Sequence, residues 1–155
     1  MKWQDVGGLN CSAARTLSVV GDRWTMLIVR NAFLGTRRFD DFQSALGVTR
    51  HILADRLNRL VEAGVLKKVP YSDKPVRHEY RLTEKGRDLY PVLLALVRWG
   101  DTWLDEGHGP PVEFHHKRCG RKATPVLACS ECGERLDPRD VMPMPGPGLR
   151  VASGS

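Results

Sequence analysis

A chain of 155 residues with 41% apolar content can bury one core of roughly 100 residues and carry an appendage, which sets the expectation of one domain plus a tail. No run of about 18 apolar residues occurs, and Met1-Lys2-Trp3-Gln4-Asp5 lacks the apolar core of a secretory signal, so neither a spanning helix nor export is expected and a cytoplasmic location is. Lys and Arg outnumber Asp and Glu by 24 to 18, which points to a polyanionic partner.

Ser12 to Val20 reads as a short helix ended by Gly21, and Asp22 is placed to cap a second helix through Trp24, Leu27, Ile28 and Leu34, closed by Gly35. After Thr36-Arg37-Arg38, a third helix begins at Asp40, carries Phe42 and Leu46, and stops at Gly47. Thr49 then caps a fourth, in which Leu53, Leu57, Leu60 and Val61 recur at helical spacing until Gly64. The result is helix, tight turn, helix. Val65–Tyr71 and His78–Leu82 read as two strands joined by a polar tip, Ser72-Asp73-Lys74-Pro75. Thr83 is expected to cap one long helix to about Glu106, with a kink at Pro91 because proline has no N–H to donate. Leu89, Leu96 and Trp103 stand seven apart on that helix, beside Val92, Leu93, Val97, Trp99 and Leu104, an apolar face wider than one core contact requires.

From Met1 to Gly109 there are 17 basic and 13 acidic residues, and Thr49 to Arg81 alone holds 8 and 4, so the whole excess of that region lies in one stretch. A charge balance serving only solubility would be spread more evenly. With Leu53, Leu57 and Leu60 turned to the core, the opposite face of the fourth helix presents His51, Asp55, Asn58 and Arg59, with Thr49 and Arg50 at its leading end. Arg can bridge guanine, Asn can bridge adenine, and Thr can donate to a phosphate, so these residues are candidate readers of a DNA major groove. Lys74 and Arg77 on the hairpin, with Arg37 and Arg38 ahead of the third helix, are candidates for neutralising flanking phosphates and setting register.

Several stretches in fixed order, Gly21-Asp22-Arg23-Trp24-Thr25, Leu53-Ala54-Asp55-Arg56-Leu57, Glu62-Ala63-Gly64-Val65-Leu66, Pro70-Tyr71-Ser72, Glu79-Tyr80-Arg81-Leu82-Thr83-Glu84-Lys85-Gly86 and Trp99-Gly100, resemble the signature of the HxlR-type regulators. The resemblance covers about Cys11 to Trp103. It implies a winged helix-turn-helix fold, mainly α with a small β-hairpin wing (α+β). It also implies a homodimeric bacterial transcription regulator on an inverted-repeat operator in double-stranded DNA, with dimerising terminal helices. The domains expected are a winged DNA-binding and dimerisation domain over 1–107, a cysteine- and histidine-rich extension over 108–141, and a disordered Pro-, Gly- and Ser-rich tail over 142–155.

Cys11 lies just before the first helix, where helix-end amides favour a thiolate. Some proteins resembling this family sense quinones, aldehydes or oxidants through a cysteine near the N-terminus, which makes Cys11 a candidate redox or electrophile sensor and implies a small-molecule or electrophile effector. The competing reading is a small buried residue at a dimer seam.

In the extension, His116-Lys117-Arg118-Cys119-Gly120 and Cys129-Ser130-Glu131-Cys132-Gly133 share one pattern, two ligand residues separated by two and followed by glycine. Each resembles a zinc knuckle, and Arg121 to Ala128 is expected to form a short hairpin bringing the two together. His116, Cys119, Cys129 and Cys132 would then close a tetrahedral, structural zinc site, with His115 as a substitute for His116. Free thiols or a Cys129–Cys132 disulfide are the rival readings. An enzyme is disfavoured: no histidine stands near Cys11 in a nucleophile pattern, the metal ligands fill their shell, and no glycine-rich phosphate loop occurs. Trp3, Trp24, Trp99 and Trp103, at helical spacing, read as core residues. The alternative function is a winged-helix protein-interaction module with a zinc-ribbon tail and no operator specificity.

Overall fold

The computed structural model describes residues 3–149, and the last part of the expected disordered tail, 150–155, lies outside them. The chain divides into two compact units, one ending at Tyr90 and the other beginning at Pro91. No helix among the described residues is long and apolar enough to cross a membrane.

In the first unit, a 3-10 turn at Trp3–Gly8 leads into α1 (Ser12–Val20), α2 (Thr25–Phe33), α3 (Phe39–Leu46) and α4 (Arg50–Glu62). The hairpin of β1 (Leu66–Asp73) and β2 (Val76–Leu82) follows, and then a single helical turn, α5 (Glu84–Arg87). The strands are antiparallel, with Leu66 opposite Leu82 and Asp73 opposite Val76, and a bulge between Pro70 and Ser72 accommodates Tyr71. Ile28, Val29, Phe42, Val48, Leu53, Leu57, Leu60, Val65 and Leu66 form the core where α2, α3, α4 and the base of the hairpin meet. Phe42, Leu53 and Leu57 are wholly buried, and each such side chain contributes about 1.5–3 kcal/mol of transfer free energy.

Local chemistry sets the ends of these elements. Gly47 and Gly64 stop α3 and α4 at φ of +65° and +72°, values a side chain would resist. The Thr49 hydroxyl accepts the Ile52 N–H at 3.3 Å and caps α4. Thr83 accepts the Gly86 N–H at 3.0 Å while its own hydroxyl donates to the Gly64 carbonyl at 2.5 Å, so one residue starts α5 and ties it to the end of α4. Lys85 adds a bond from Nζ to the Ala63 carbonyl at 2.7 Å. Gly86 is required by close approach, since a Cβ there would stand 2.1 Å from the Val65 carbonyl oxygen.

The expected single helix from Thr83 to about Glu106 is instead two. A turn at Asp88 and Leu89 separates α5 from α6 (Tyr90–Trp103). In a continuous helix Pro91 would leave the Arg87 carbonyl without its donor and crowd it. The break places Pro91 in the first turn of α6, where no donor is needed.

The second unit holds α6, then β3 (His115–His116) paired antiparallel with β4 (Arg121–Lys122), and an isolated bridge between Ala128 and Arg135. Arg121 to Ala128 is therefore not the expected hairpin. Each Cys/His turn is itself the bend of a hairpin, and 123–127 links the two. Past Leu93, none of the described residues is buried. Met142 to Leu149 carry neither helix nor strand.

Candidate nucleic-acid interface

The helix-turn-helix is α3, the turn at Gly47, and α4. Because Leu53, Leu57 and Leu60 are buried, α4 can turn only its other side outward, and His51, Asn58 and Arg59 are exposed there. Asp55, expected on that face, is half-buried and engaged by two guanidinium groups: Arg56, and Arg59 at 3.0 Å. Arg50, at the leading end, is 68% exposed but not idle. Its Nη1 donates to Asp40 Oδ1 at 2.9 Å and Gln43 Oε1 at 3.1 Å, and its guanidinium lies 4.6 Å from the centre of the Phe39 ring. The residue best suited to bridge guanine is thus held against α3.

The hairpin is fixed beside this helix by a bond from the Tyr80 N–H to the Arg37 carbonyl at 2.7 Å. Arg37 and Arg38 are exposed at the start of α3, Lys74 and Arg77 at the hairpin tip. A cleft of about 500 Å³ runs from α3 and α4 to the hairpin, and Arg38, Arg50 and Arg77 line it together with Lys68, Tyr71 and His78. Sequence reasoning missed the last three. Arg38 packs its guanidinium 4.6 Å over the Tyr71 ring, a contact that depends on the bulge at Tyr71 and so has no signature in a strand's alternation. Among the described residues, Arg37, Arg38, Lys68, Lys74 and Arg77 make no ion pair, so their charge faces solvent.

The position of α4 rests on Asp22. Its carboxylate accepts the N–H groups of Trp24 at 2.9 Å and Thr25 at 3.2 Å, as expected of a cap, and the Thr25 hydroxyl. It also accepts Arg56 Nε at 2.9 Å, a partner on α4 that its position in sequence did not disclose. Burial alone would raise the Asp22 carboxyl. The hydrogen bonds from Thr25, Trp24 and Arg56 outweigh it and hold the group below the ordinary aspartate range. Two of the signature stretches, one ending α1 and one in α4, are joined here.

Cys11 is exposed at the N-cap of α1, and its thiol makes no capping hydrogen bond. In the second unit the four predicted metal ligands stand as two pairs. Cys119 Sγ lies 3.5 Å from His116 Nδ1. The Cys129 thiol is held below its ordinary value chiefly by the Cys132 N–H, then by the Glu131 N–H and the Cys132 thiol. His115 turns elsewhere, with Nε2 3.6 Å from Glu113. Among the described residues, no three His, Cys, Asp or Glu side chains stand within reach of a single ion. Trp24 packs on the core as expected, but Trp99 and Trp103 are 59% and 71% exposed, so the apolar periodicity of α6 does not mark a core.

The HxlR-like helix-turn-helix family matches residues 19–108. The HTH-type transcriptional regulator Rv3095 of Mycobacterium tuberculosis is 49% identical over 144 residues, 93% of this chain and 91% of its own length. The crystal structure of PA1607, a candidate transcription factor, superposes with a TM-score of 0.80 at 38% identity and covers 89% of this chain and 96% of that one. The redox regulator HypR in its reduced form superposes with a TM-score of 0.57 at 28% identity, covering 63% of this chain and 96% of that one. The likeness to Rv3095 therefore runs past residue 108 into the extension, whereas HypR matches a span near the length of the winged region alone. These relatives are regulators and not enzymes, and the chemistry of the α4 face agrees with them. The chain belongs to the HxlR-like helix-turn-helix family of transcriptional regulators.

Proposed function

We propose that the protein binds an inverted-repeat operator in duplex DNA as a homodimer, with α4 in the major groove and the hairpin wing on the flanking backbone. The observation that carries this reading is the cationic side of the first unit, where Arg38, Arg50, Lys68 and Arg77 line one cleft and the uncompensated Arg37 and Lys74 stand exposed at the start of α3 and at the hairpin tip. Arg50, His51 and Asn58 read base edges; Thr49, Arg59 and the cleft and wing cations hold phosphates. Homodimer formation is supported by α6, whose Val92, Leu96, Trp99 and Trp103, with Leu104 just after it, leave a large apolar surface in water. An inverted repeat follows from the two-fold symmetry of such a pair.

A redox or electrophile response is part of the same reading, supported by the exposed thiol of Cys11 and by the likeness to HypR, which is a redox regulator. An electrophile is expected to weaken operator binding by the wild type and not by Cys11→Ser, and equal responses would remove the sensor role.

A salt series with the protein's own promoter DNA and random duplex tests the operator reading. Specific affinity in the nanomolar range is expected, falling with salt by a slope of about −0.9 per neutralised phosphate, with a gap of at least about a thousandfold over random DNA. Arg50→Ala should relax base preference, whereas Lys74→Ala should weaken all sequences alike and lower the salt slope by about 1. Equal affinity for promoter and random duplex would overturn the proposal.

A further inference from the structure

The extension from Gly107 onward has defined turns and no core. None of its described residues is buried, yet β3 pairs with β4 and Ala128 bridges Arg135. A unit this small without apolar burial needs another source of order, and disulfide bonds, a bound metal or association with a second chain can supply it. All four cysteines of the chain are free thiols in this structure.

The two bends that carry the thiols are built alike. In the first, the Gly120 N–H donates to the His116 carbonyl at 2.7 Å and Gly120 has φ +68°. In the second, the Gly133 N–H donates to the Cys129 carbonyl at 2.9 Å and Gly133 has φ +77°. Each bend therefore turns two donor side chains to the same side and needs glycine to do so. In a tetrahedral zinc site with Zn–S near 2.3 Å and Zn–N near 2.05 Å, a sulfur and a nitrogen ligand lie about 3.6 Å apart. The 3.5 Å hydrogen-bond contact between Cys119 Sγ and His116 Nδ1 has the length of such an edge.

We propose that the extension holds one structural zinc ion, bound by His116 through Nδ1 and by Cys119, Cys129 and Cys132 as thiolates. The two pairs do not share one locus here, so zinc does more than fill a hole: it draws the second bend onto the first through the linker 123–127 and supplies the order the missing core does not. Three thiols give up their protons on binding, which leaves the site with one net negative charge. Lys117, Arg118 and Arg121, in and beside the first bend, offset it. His115 is excluded as the fourth ligand because its ring faces Glu113.

The full-length protein, purified in zinc-containing buffer under reducing conditions, provides the test. Wild type, Cys11→Ser and His115→Asn should each retain about one zinc per chain, while His116→Asn, Cys119→Ser and Cys132→Ser should fall below about half. Cobalt exchanged into the wild type should show visible bands of a tetrahedral ion together with thiolate charge transfer. Chelation should raise protease cleavage within 108–149 and leave 19–108 intact. Wild type with under half an equivalent of zinc overturns the proposal, as does a cobalt spectrum without tetrahedral thiolate bands, however the variants behave. A Cys129–Cys132 disulfide found by mass spectrometry in the protein as purified also overturns it, and zinc loss in His115→Asn equal to that in His116→Asn overturns the ligand set.

Discussion

Replacing Asp22 by alanine removes two contributions that can be assessed separately. The first is at the start of α2, where the carboxylate accepts the Trp24 and Thr25 N–H groups and the hydroxyl of the buried Thr25; loss of such a cap costs about 1 kcal/mol, and the hydroxyl left without its partner adds to it. The second is the charge-assisted bond from Arg56 at 2.9 Å. Asp22 and Arg56 side chains are 26% and 23% exposed, and Arg56 keeps Asp55, so this part is worth about 1 kcal/mol and not the full value of a buried pair. Asp22→Ala should therefore destabilise the protein by about 2 kcal/mol or more, lowering Tm by at least about 4–8 °C for a chain of this size. Asp22→Asn, which keeps an acceptor for the cap, should lose about half as much. Urea denaturation at one fixed protein concentration and pH 7 measures both, the fixed concentration being needed because association adds to apparent stability. The pH dependence follows from the lowered carboxyl: Asp22 contributes fully above the ordinary aspartate value of 3.8, and the contribution is lost as pH falls through its lower folded value. The gap between wild type and Asp22→Ala should thus close in acid. A loss under about 0.5 kcal/mol at pH 7, or a gap that stays constant into strong acid, would refute the role assigned to the Asp22–Arg56 link.

Gly86→Ala puts a methyl group 2.1 Å from the Val65 carbonyl oxygen, so the α5 turn must shift, and a destabilisation of about 2 kcal/mol or more is expected in the same denaturation assay. Asp40→Asn frees Arg50 from its carboxylate and removes a negative charge from the cleft; an exposed pair of this kind is worth up to about 1 kcal/mol, so random duplex should bind up to about fivefold tighter in a fluorescence titration. Trp103→Asp places a charge on the most exposed aromatic of α6, and sedimentation should show the proposed dimer weakened with helix content unchanged.

The elements of the first unit were legible because their boundaries are local chemistry. Gly47, Gly64, Thr49 and Thr83 act on the backbone within three residues of themselves, and each stands where a helix stops or starts. The apolar period of α4 was equally legible, since Leu53, Leu57 and Leu60 can satisfy it in one orientation only. The division of the expected last helix was harder to see. Pro91 is compatible with a kinked helix or with a new helix, and the choice was made by the docking of Thr83, Lys85 and Gly86 on the end of α4, a tertiary constraint. Periodicity on α6 identified an apolar face correctly but not its environment: Trp99 and Trp103 would follow the same spacing against a core or against a second chain.

The site was legible in its residue types and not in their pairing. Arg50, His51, Asn58 and Arg59 lie where helical spacing puts them, but the link from Asp22 to Arg56 spans 34 positions and the link from Arg50 to Asp40 crosses the turn between two helices. These pairs change the chemistry of the interface. An unpaired Arg50 would be drawn to any phosphate, whereas an Arg50 that hydrogen-bonds Asp40 and lies over Phe39 is already compensated, and a lone phosphate offers it little gain. A guanine edge presents two acceptors matched to the guanidinium fork, whereas Asp40 and Gln43 both engage the single nitrogen Nη1. Asp40 on this reading weakens attraction to random DNA more than it weakens binding to a site with guanine in the right place. The acidic residues at the start of α3 then belong to the specificity of a basic protein, even though their charge opposes its affinity.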